Sequence, residues 1–170
     1  PPMGWNDFNQ YHGQILDGLA ADQLKVYGAI ADSLVSTGLR DVGYVYICKD
    51  GDNGGSAPYW PGYTGFVNYF KPIVERVKAK GCKFGVYSSE FANPMKIASD
   101  LADAGCDYVK IDAWTTDVTH AGWLALGQAL IATGKPIVYS THSSQPDVSN
   151  MWRTGGDIQP SWNLIMEDFD

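Results

Sequence analysis

Helical and extended apolar patterns alternate along this chain. Four times, a stretch with apolar residues spaced three or four apart ends at a glycine and is followed by a short apolar run. Glycine just past a helix end is a common left-handed cap. The four glycines are Gly38, Gly81, Gly105 and Gly134. Helices alternating with strands in this way predict βαβ units on a parallel sheet.

The predicted helices have individual start signals. The first covers Asp22–Thr37, the second has Pro72 near its start, where proline is tolerated, and the fourth begins near Thr119. In the third, Asn93 is the expected N-cap and is followed by proline at the first helical position. The residues expected to face inward are Tyr27, Ile30, Ala31, Leu34, Ile73, Val74, Val77, Trp123, Leu126 and Leu130.

Six apolar runs are predicted to be strands. They lie near Met3–Trp5, Tyr44–Cys48, Lys83–Tyr87, Tyr108–Ile111, Ile137–Ser140 and Trp152–Ile158. A (β/α)8 barrel typically takes about 250 residues, and this chain has 170. The pattern therefore predicts one α/β domain over residues 1–170, either an open sheet or a barrel without its last two units.

Two of the predicted strands carry an aspartate at or near the end. Asp112 closes the run Tyr108–Ile111, and Asp157 lies in the run that begins at Trp152. The carboxyl ends of parallel strands are where βα proteins place their chemistry. Two carboxylates from two strands are what glycoside hydrolysis requires. The alternative is that each aspartate only caps the helix that follows it.

Composition and charge narrow the function classes. The chain is 45% hydrophobic and 18% charged, which is typical of a globular domain. Its 6 Trp and 10 Tyr suit stacking on sugar rings and suit an aromatic core equally well. A formal net charge of −7 argues against a nucleic-acid partner. No apolar run approaches the ~18 residues of a membrane span.

Potential metal ligands are few and scattered, with no paired spacing. The histidines and cysteines are His12, His120, His142, Cys48, Cys82 and Cys106. Cys82 and Cys106 each follow a glycine just before a strand, which predicts buried thiols. The segment Asp50–Gly55 resembles a calcium loop only superficially, because Pro61 stands where an EF-hand needs a bidentate glutamate. We therefore expect no metal and no cofactor.

Four motifs occur in a single order along the chain. They are Pro1–Asn6, Gly85–Ser88, Tyr108–Asp112 and Trp152–Ile158, the last followed by Ser161-Trp162. In this order they resemble glycoside hydrolase family 27, which includes α-galactosidases, α-N-acetylgalactosaminidases and members acting on other sugars. The resemblance implies a (β/α)8 TIM barrel, of which this chain holds the first six βα units, and a retaining, metal-free double displacement.

The resemblance also assigns catalytic roles. It implies that Asp112 is the nucleophile and Asp157 the acid/base, with carboxyl groups roughly 5–6 Å apart as in retaining enzymes. Lys110 lies two residues before Asp112 on the same strand face, where its charge favours the ionised carboxylate. A plain Lys–Asp ion pair at a strand end is the alternative. Desolvation or the charge of Asp112 is expected to raise the pKa of Asp157.

Four more positions match the family's sugar pocket. Phe8 stands where a pocket tryptophan is common, and His142 matches the position facing the sugar 2-substituent. Tyr87 matches a tyrosine that lines the pocket, with a core aromatic as the alternative. Arg153 matches a pocket arginine, with a structural ion pair as the alternative.

The second strand departs from the family pattern. Asp50 retains one of two carboxylates that hold the sugar 4- and 6-hydroxyls, but Gly51 replaces the other, and Asp52 is one residue out of frame. Aromatic residues that follow are predicted either to form a stacking wall or to anchor a long loop. They are Tyr59, Trp60 and Tyr63.

Together these features predict a retaining glycoside hydrolase that cleaves terminal α-linked sugars, as α-galactosidases do. Because the sugar contacts differ, an isomaltose-releasing α-glucan hydrolase is one alternative. Because the last strands are missing, a non-catalytic carbohydrate-binding barrel fragment is another. We expect an oligosaccharide or glycoside substrate, a further segment or chain that completes the barrel, and an extracellular location.

Overall fold

A computed structural model describes residues 2–8, 20–50, 60–89, 91–113, 119–156 and 161–167. Its strands are β1 (Gly4–Asn6), β2 (Tyr46–Lys49), β3 (Lys83–Ser88), β4 (Tyr108–Ile111), β5 (Val138–Thr141) and β6 (Met151–Trp152). They form one sheet in sequential order, and each neighbouring pair is parallel. The predicted βαβ organisation is therefore confirmed.

Five α-helices occur in the described residues. They are α1 (Ala20–Ser36), α2 (Phe66–Lys78), α3 (Pro94–Ala104), α4 (His120–Ala132) and α5 (Trp162–Glu167). The start and end of α3 agree with the sequence: Asn93 Oδ1 accepts a hydrogen bond from Lys96 N, and Gly105 is left-handed at φ 81°. None of these helices has the length and apolar character needed to cross a membrane.

Two predicted boundaries are wrong. Pro72 lies inside α2, because Phe66 and Phe70 are fully buried and extend the apolar face by about 1.7 turns towards the N-terminus. The burial of these two rings outweighs the hydrogen bond that proline removes from the helix interior. Strand β6 is also shorter than Trp152–Ile158, since its pairing with β5 ends at Trp152 and residues 153–156 are not part of a strand. Residues 157–160 lie outside the described part of the chain.

The core lies between the sheet and its helices. Alternate strand residues face the helices, because strand side chains point to opposite faces with a period of two. These strand residues are Ile47, Phe84, Val86, Val109, Ile111 and Tyr139. Cys82 and Cys106 are buried free thiols, as predicted. At Gly127 of α4, an added Cβ would lie 3.1 Å from the Val148 carbonyl, so the segment after β5 packs closely onto the helix there.

The opposite face of the sheet is concave. Tyr46 of β2 and Tyr108 of β4 meet at 6.4 Å between ring centroids, across β3, where Gly85 has no side chain to separate them. Pro2 beside β1 and Met151 of β6 line one cavity, which brings the two ends of the sheet to the same hollow. The sheet is thus curled into a partial (β/α)8 barrel.

Candidate active site

The carboxyl ends of four strands bring five polar side chains together. Asn6 ends β1, Asp50 follows β2, Lys110 and Asp112 lie at the end of β4, and His142 follows β5. We call these five residues the carboxylate cluster. They meet because parallel strands in sequential order deliver their carboxyl ends to one rim of the barrel. Asp50, Lys110, Asp112 and His142 are among the residues that the sequence singled out.

Lys110 lies between the two carboxylates of this cluster. Its Nζ is 3.4 Å from Asp50 Oδ2 and 3.4 Å from Asp112 Oδ2. Asn6 Nδ2 donates a second hydrogen bond to Asp50 Oδ2 at 2.8 Å. One ammonium group therefore lies between two acids and offsets part of the repulsion between them.

Both carboxylate oxygens of Asp112 and its backbone N–H have contacts that fix the residue's position. Its side chain is 8% exposed. Oδ2 faces Lys110, whereas Oδ1 is in close hydrogen-bond contact with Nδ1 of His142. The backbone N–H of Asp112 donates to the Ser88 carbonyl at 2.9 Å, so β3 fixes the point from which the side chain projects. The result is a nearly buried carboxylate between two nitrogen-bearing side chains at the barrel rim.

Aromatic rings form one side of the cluster. The Tyr87 ring is buried, with Lys110 Nζ 5.2 Å and Lys49 Nζ 5.8 Å from its centroid. Trp60 is also buried and packs against Tyr87 at 5.9 Å between ring centroids. Trp60 therefore anchors its segment to the rim, whereas Tyr63 is exposed. Tyr59 lies outside the described residues.

A buried acid beneath the cluster was missed by the sequence reasoning. Asp7 is fully buried and accepts hydrogen bonds from Tyr27 Oη and from the Asp50 backbone N–H, each at 2.6 Å. Burial raises the pKa of Asp7 above its ordinary value of 3.8, although these two hydrogen bonds act in the opposite direction. Lys49, also buried, was missed as well. Both residues lie at the end of a strand, so the rule that selected Asp112 could have found them.

The other predicted site residues are not members of the carboxylate cluster, and some of them lie outside the part of the chain that the structure describes. The Phe8 side chain is 47% exposed. Arg153 Nε donates to the Gly155 carbonyl at 2.7 Å, a local contact within the segment after β6. Asp157, Gly51 and Asp52 lie outside the described residues, so the Asp112–Asp157 separation stays a prediction. In the described segments, no group of three or more His, Cys, Asp or Glu is placed to bind a metal ion.

The curled parallel sheet and the charged rim together define a βα-barrel protein with its polar site at the carboxyl ends of the strands. The family model described as "Alpha galactosidase A" matches residues 1–170. The chain belongs to this family, glycoside hydrolase family 27.

Individual relatives agree with this assignment. Alpha-galactosidase A of Cellvibrio japonicus is 31% identical over 96% of this chain and 45% of its own length. Alpha-galactosidase of Cyamopsis tetragonoloba is 30% identical over 97% and 45%. The chain thus spans about half the length of these curated relatives.

Solved structures show the same fold. The α-galactosidase of Saccharomyces cerevisiae superposes with a TM-score of 0.73 at 21% identity, covering 94% of this chain and 40% of that one. A family 27 β-L-arabinopyranosidase of Geobacillus stearothermophilus gives a TM-score of 0.76 at 18% identity, covering 99% and 56%. The partial barrel of this chain therefore corresponds to part of a larger structure in both proteins.

Proposed function

We propose that the protein acts as a glycoside hydrolase that cleaves terminal α-linked sugars with retention of configuration. Asp112 is the nucleophile and Asp157 the acid/base of this proposal. The observation that carries it is the setting of Asp112: a nearly buried carboxylate at a strand's carboxyl end, with Lys110 on one oxygen and His142 on the other. The two contacts hold the carboxylate in place at the rim, where a nucleophile must be positioned against its substrate.

The proposed reaction has two displacements at the anomeric carbon. In the first, an Asp112 oxygen bonds to this carbon while its bond to the leaving oxygen breaks, and Asp157 gives its proton to that oxygen. In the second, water attacks the anomeric carbon, Asp157 takes the water proton, and the bond to Asp112 breaks. Each step inverts the anomeric centre, so the product retains the substrate's configuration.

The residues that follow β2 indicate which sugar the protein prefers. Asp50 offers one carboxylate to the substrate, and it is already bonded to Asn6 and near Lys110. Glycine at position 51 offers none. Sites that recognise hydroxyl groups discriminate strongly when a partner is lost. We therefore propose weak activity on simple α-galactosides, with α-glucosidic linkages as the second candidate. The β-L-arabinopyranosidases among the structural relatives are named for a third sugar.

Completion of the barrel is part of the proposal. In the described sheet, β1 pairs with β2 and β6 pairs with β5, which leaves the outer edge of each strand available. A closed barrel has no free edges. We propose that two further βα units, from a continuing segment or from another chain, fill this gap and support Asp157 at the seam.

The experiment uses the polypeptide as it is encoded, with its intact mass measured first. A panel of nitrophenyl α-galactoside, α-glucoside and β-L-arabinopyranoside identifies the sugar, and NMR of the freshly released sugar identifies its anomer. Retention, together with loss of turnover in Asp112→Ala and Asp157→Ala, is the expected result. Inversion, or an unchanged rate in Asp112→Ala, would overturn the mechanism. Sugar binding without turnover would favour the non-catalytic alternative.

A further inference from the structure

The two oxygens of Asp112 have different partners. His142 Nδ1 is in close hydrogen-bond contact with Oδ1, whereas Lys110 Nζ lies 3.4 Å from Oδ2 and the same distance from Asp50. The contact with His142 is the shorter one, and the ammonium group of Lys110 is divided between two acids. The carboxylate is therefore bound asymmetrically, with Oδ1 engaged more closely than Oδ2.

We propose that His142 is a positioning residue that fixes the rotation of the Asp112 carboxylate, so that the oxygen beside Lys110 attacks the anomeric carbon. This inference rests on the proposed function, and it assigns His142 a role towards Asp112, whereas the family resemblance implies a role towards the sugar 2-substituent. In the proposed first displacement, Oδ2 forms the bond to carbon and Oδ1 keeps its hydrogen bond to the imidazole.

The segment that carries His142 is itself tied down. Thr141, the preceding residue, is buried, and its Oγ1 donates to the Ser143 carbonyl at 2.8 Å and lies 3.1 Å from Ser149 Oγ. The Arg153 backbone N–H donates to the Thr141 carbonyl at 3.2 Å. An imidazole on such a segment has little freedom to follow the carboxylate. It is thus able to impose an orientation on Asp112.

Orientation matters for the rate because a carboxylate attacks through one oxygen along a narrow line. A misplacement of about 1 Å at a reacting group can cost about 100-fold in rate. Without the contact to Oδ1, the Asp112 carboxylate can turn towards Lys110 and present either oxygen. The loss should therefore be in kcat, whereas the substrate's other contacts keep KM nearly unchanged.

The test compares two substitutions at one position with a matched histidine. His142→Leu removes the donor at similar size, and His142→Asn keeps an N–H donor near the place of Nδ1. The control is His120→Asn, because His120 is an exposed residue at the start of α4 whose ring contacts Gln145 and Asp147 and not Asp112. Rates are measured on the aryl glycoside that the encoded polypeptide hydrolyses best.

We expect His142→Leu to lose about 100-fold in kcat with little change in KM, and His142→Asn to recover most of the loss. His120→Asn should keep the parent rate. A fully active His142→Leu overturns the inference, as does a His142→Asn that is no better than leucine. Failure of the proposed function gives a different result: either Asp112→Ala is as active as the parent, or the parent itself is inactive. In both cases the positioning role of His142 is also overturned.

A spectroscopic readout tests the contact without turnover. In ¹⁵N NMR of the histidine side chains, Nδ1 of His142 should carry a proton in the parent, and its shift should change in Asp112→Ala. The shifts of His120 should stay the same in both proteins. A His142 Nδ1 without a proton, or a signal indifferent to Asp112→Ala, overturns the proposal whatever the rates are.

Discussion

Strand β4 carries an aspartate at each end, and the two have different surroundings. Asp107, at the amino end, accepts a hydrogen bond from the Phe84 backbone N–H at 3.0 Å, and its other oxygen is 3.0 Å from Lys78 Nζ. Asp112, at the carboxyl end, contacts the side chains of Lys110 and His142. Asp107 thus joins a neighbouring strand to a helix, whereas Asp112 belongs to a cluster of charged groups.

The polar residues at the amino end of β4 stabilise the fold, whereas those at its carboxyl end are placed where a catalytic site would lie. At the amino end, Asp107 satisfies a backbone donor, and Lys78 also donates to the Gly105 carbonyl at the end of α3. At the carboxyl end, the Asp112 side chain satisfies no backbone donor in the described residues. Bringing like charges together and burying them is unfavourable for folding. The carboxyl end therefore carries the cost that functional sites commonly carry.

The largest expected effect is that substitution of Asp112 lowers activity but not stability, whereas substitution of Asp107 lowers stability but not activity. Asp112→Ala should lower kcat about 10⁴-fold or more, because the nucleophile is gone. Its free energy of unfolding should change by at most about 1 kcal/mol, since no backbone donor among the described residues loses its partner. Kinetics on the best glycoside and urea unfolding measure the two quantities.

Asp107→Ala is the matched control for that experiment. It leaves the Phe84 N–H without its carboxylate and should lower the free energy of unfolding by about 1–3 kcal/mol. Its kcat should stay close to that of the parent. Equal activity losses in the two variants would remove the distinction between the ends of β4.

Each of the two aspartates has a lysine partner, Lys110 for Asp112 and Lys78 for Asp107. Lys110→Met should lower kcat about 100-fold. The substitution removes the cation between Asp50 and Asp112, and with it a positive charge next to the anomeric carbon. Lys78→Met removes a partly exposed ion pair with Asp107 and should cost at most about 1 kcal/mol of stability, with activity retained. The same kinetic and unfolding assays apply. A Lys110→Met enzyme of parental rate would make Lys110 a structural partner only.

The buried acid at the carboxyl end predicts a pH dependence. Because burial raises the pKa of Asp7 in the folded state, its contribution to stability is present at low pH. That contribution is lost as pH rises above 3.8 through the raised value. Asp7→Asn does not titrate. The unfolding free energy of the parent minus that of Asp7→Asn should therefore fall between acidic and neutral pH. A difference that rises over this range would contradict the assignment.

The smallest effect is expected at two thiols near the amino ends of β3 and β4. Cys82 and Cys106 are buried, and burial raises the pKa of both thiols. Neither should react with a maleimide in the native protein, although both should react in urea. Mass mapping of the labelled peptides checks this. Rapid native labelling of Cys106 would show that the amino end opens.

The sequence was sufficient where local chemistry decides the structure. The alternation of helices and strands, the bounds of α3 and the position of Asp112 at a strand end all follow from caps and periodicity. The start of α2 was predicted too close to Pro72. The true start depends on the burial of Phe66 and Phe70, which is a matter of tertiary packing.

The contacts within the cluster were less accessible to the sequence. Period two places Lys110 and Asp112 on one face, and their ion pair could be predicted from that alone. The contact between His142 and Asp112 depends on the distance between the ends of β4 and β5 and on the loop fixed by Thr141. No spacing along the chain encodes that distance.

Covalent labelling identifies the nucleophile in the unmodified sequence. A cyclophellitol aziridine of the preferred sugar configuration forms an ester with the nucleophile of a retaining glycosidase and stays attached. Peptide mass spectrometry of the labelled protein should locate the ester on Asp112, and Asp107→Ala should label to the same extent as the parent. An ester on any other carboxylate, or no label on a protein that hydrolyses the matching aryl glycoside, would contradict the account.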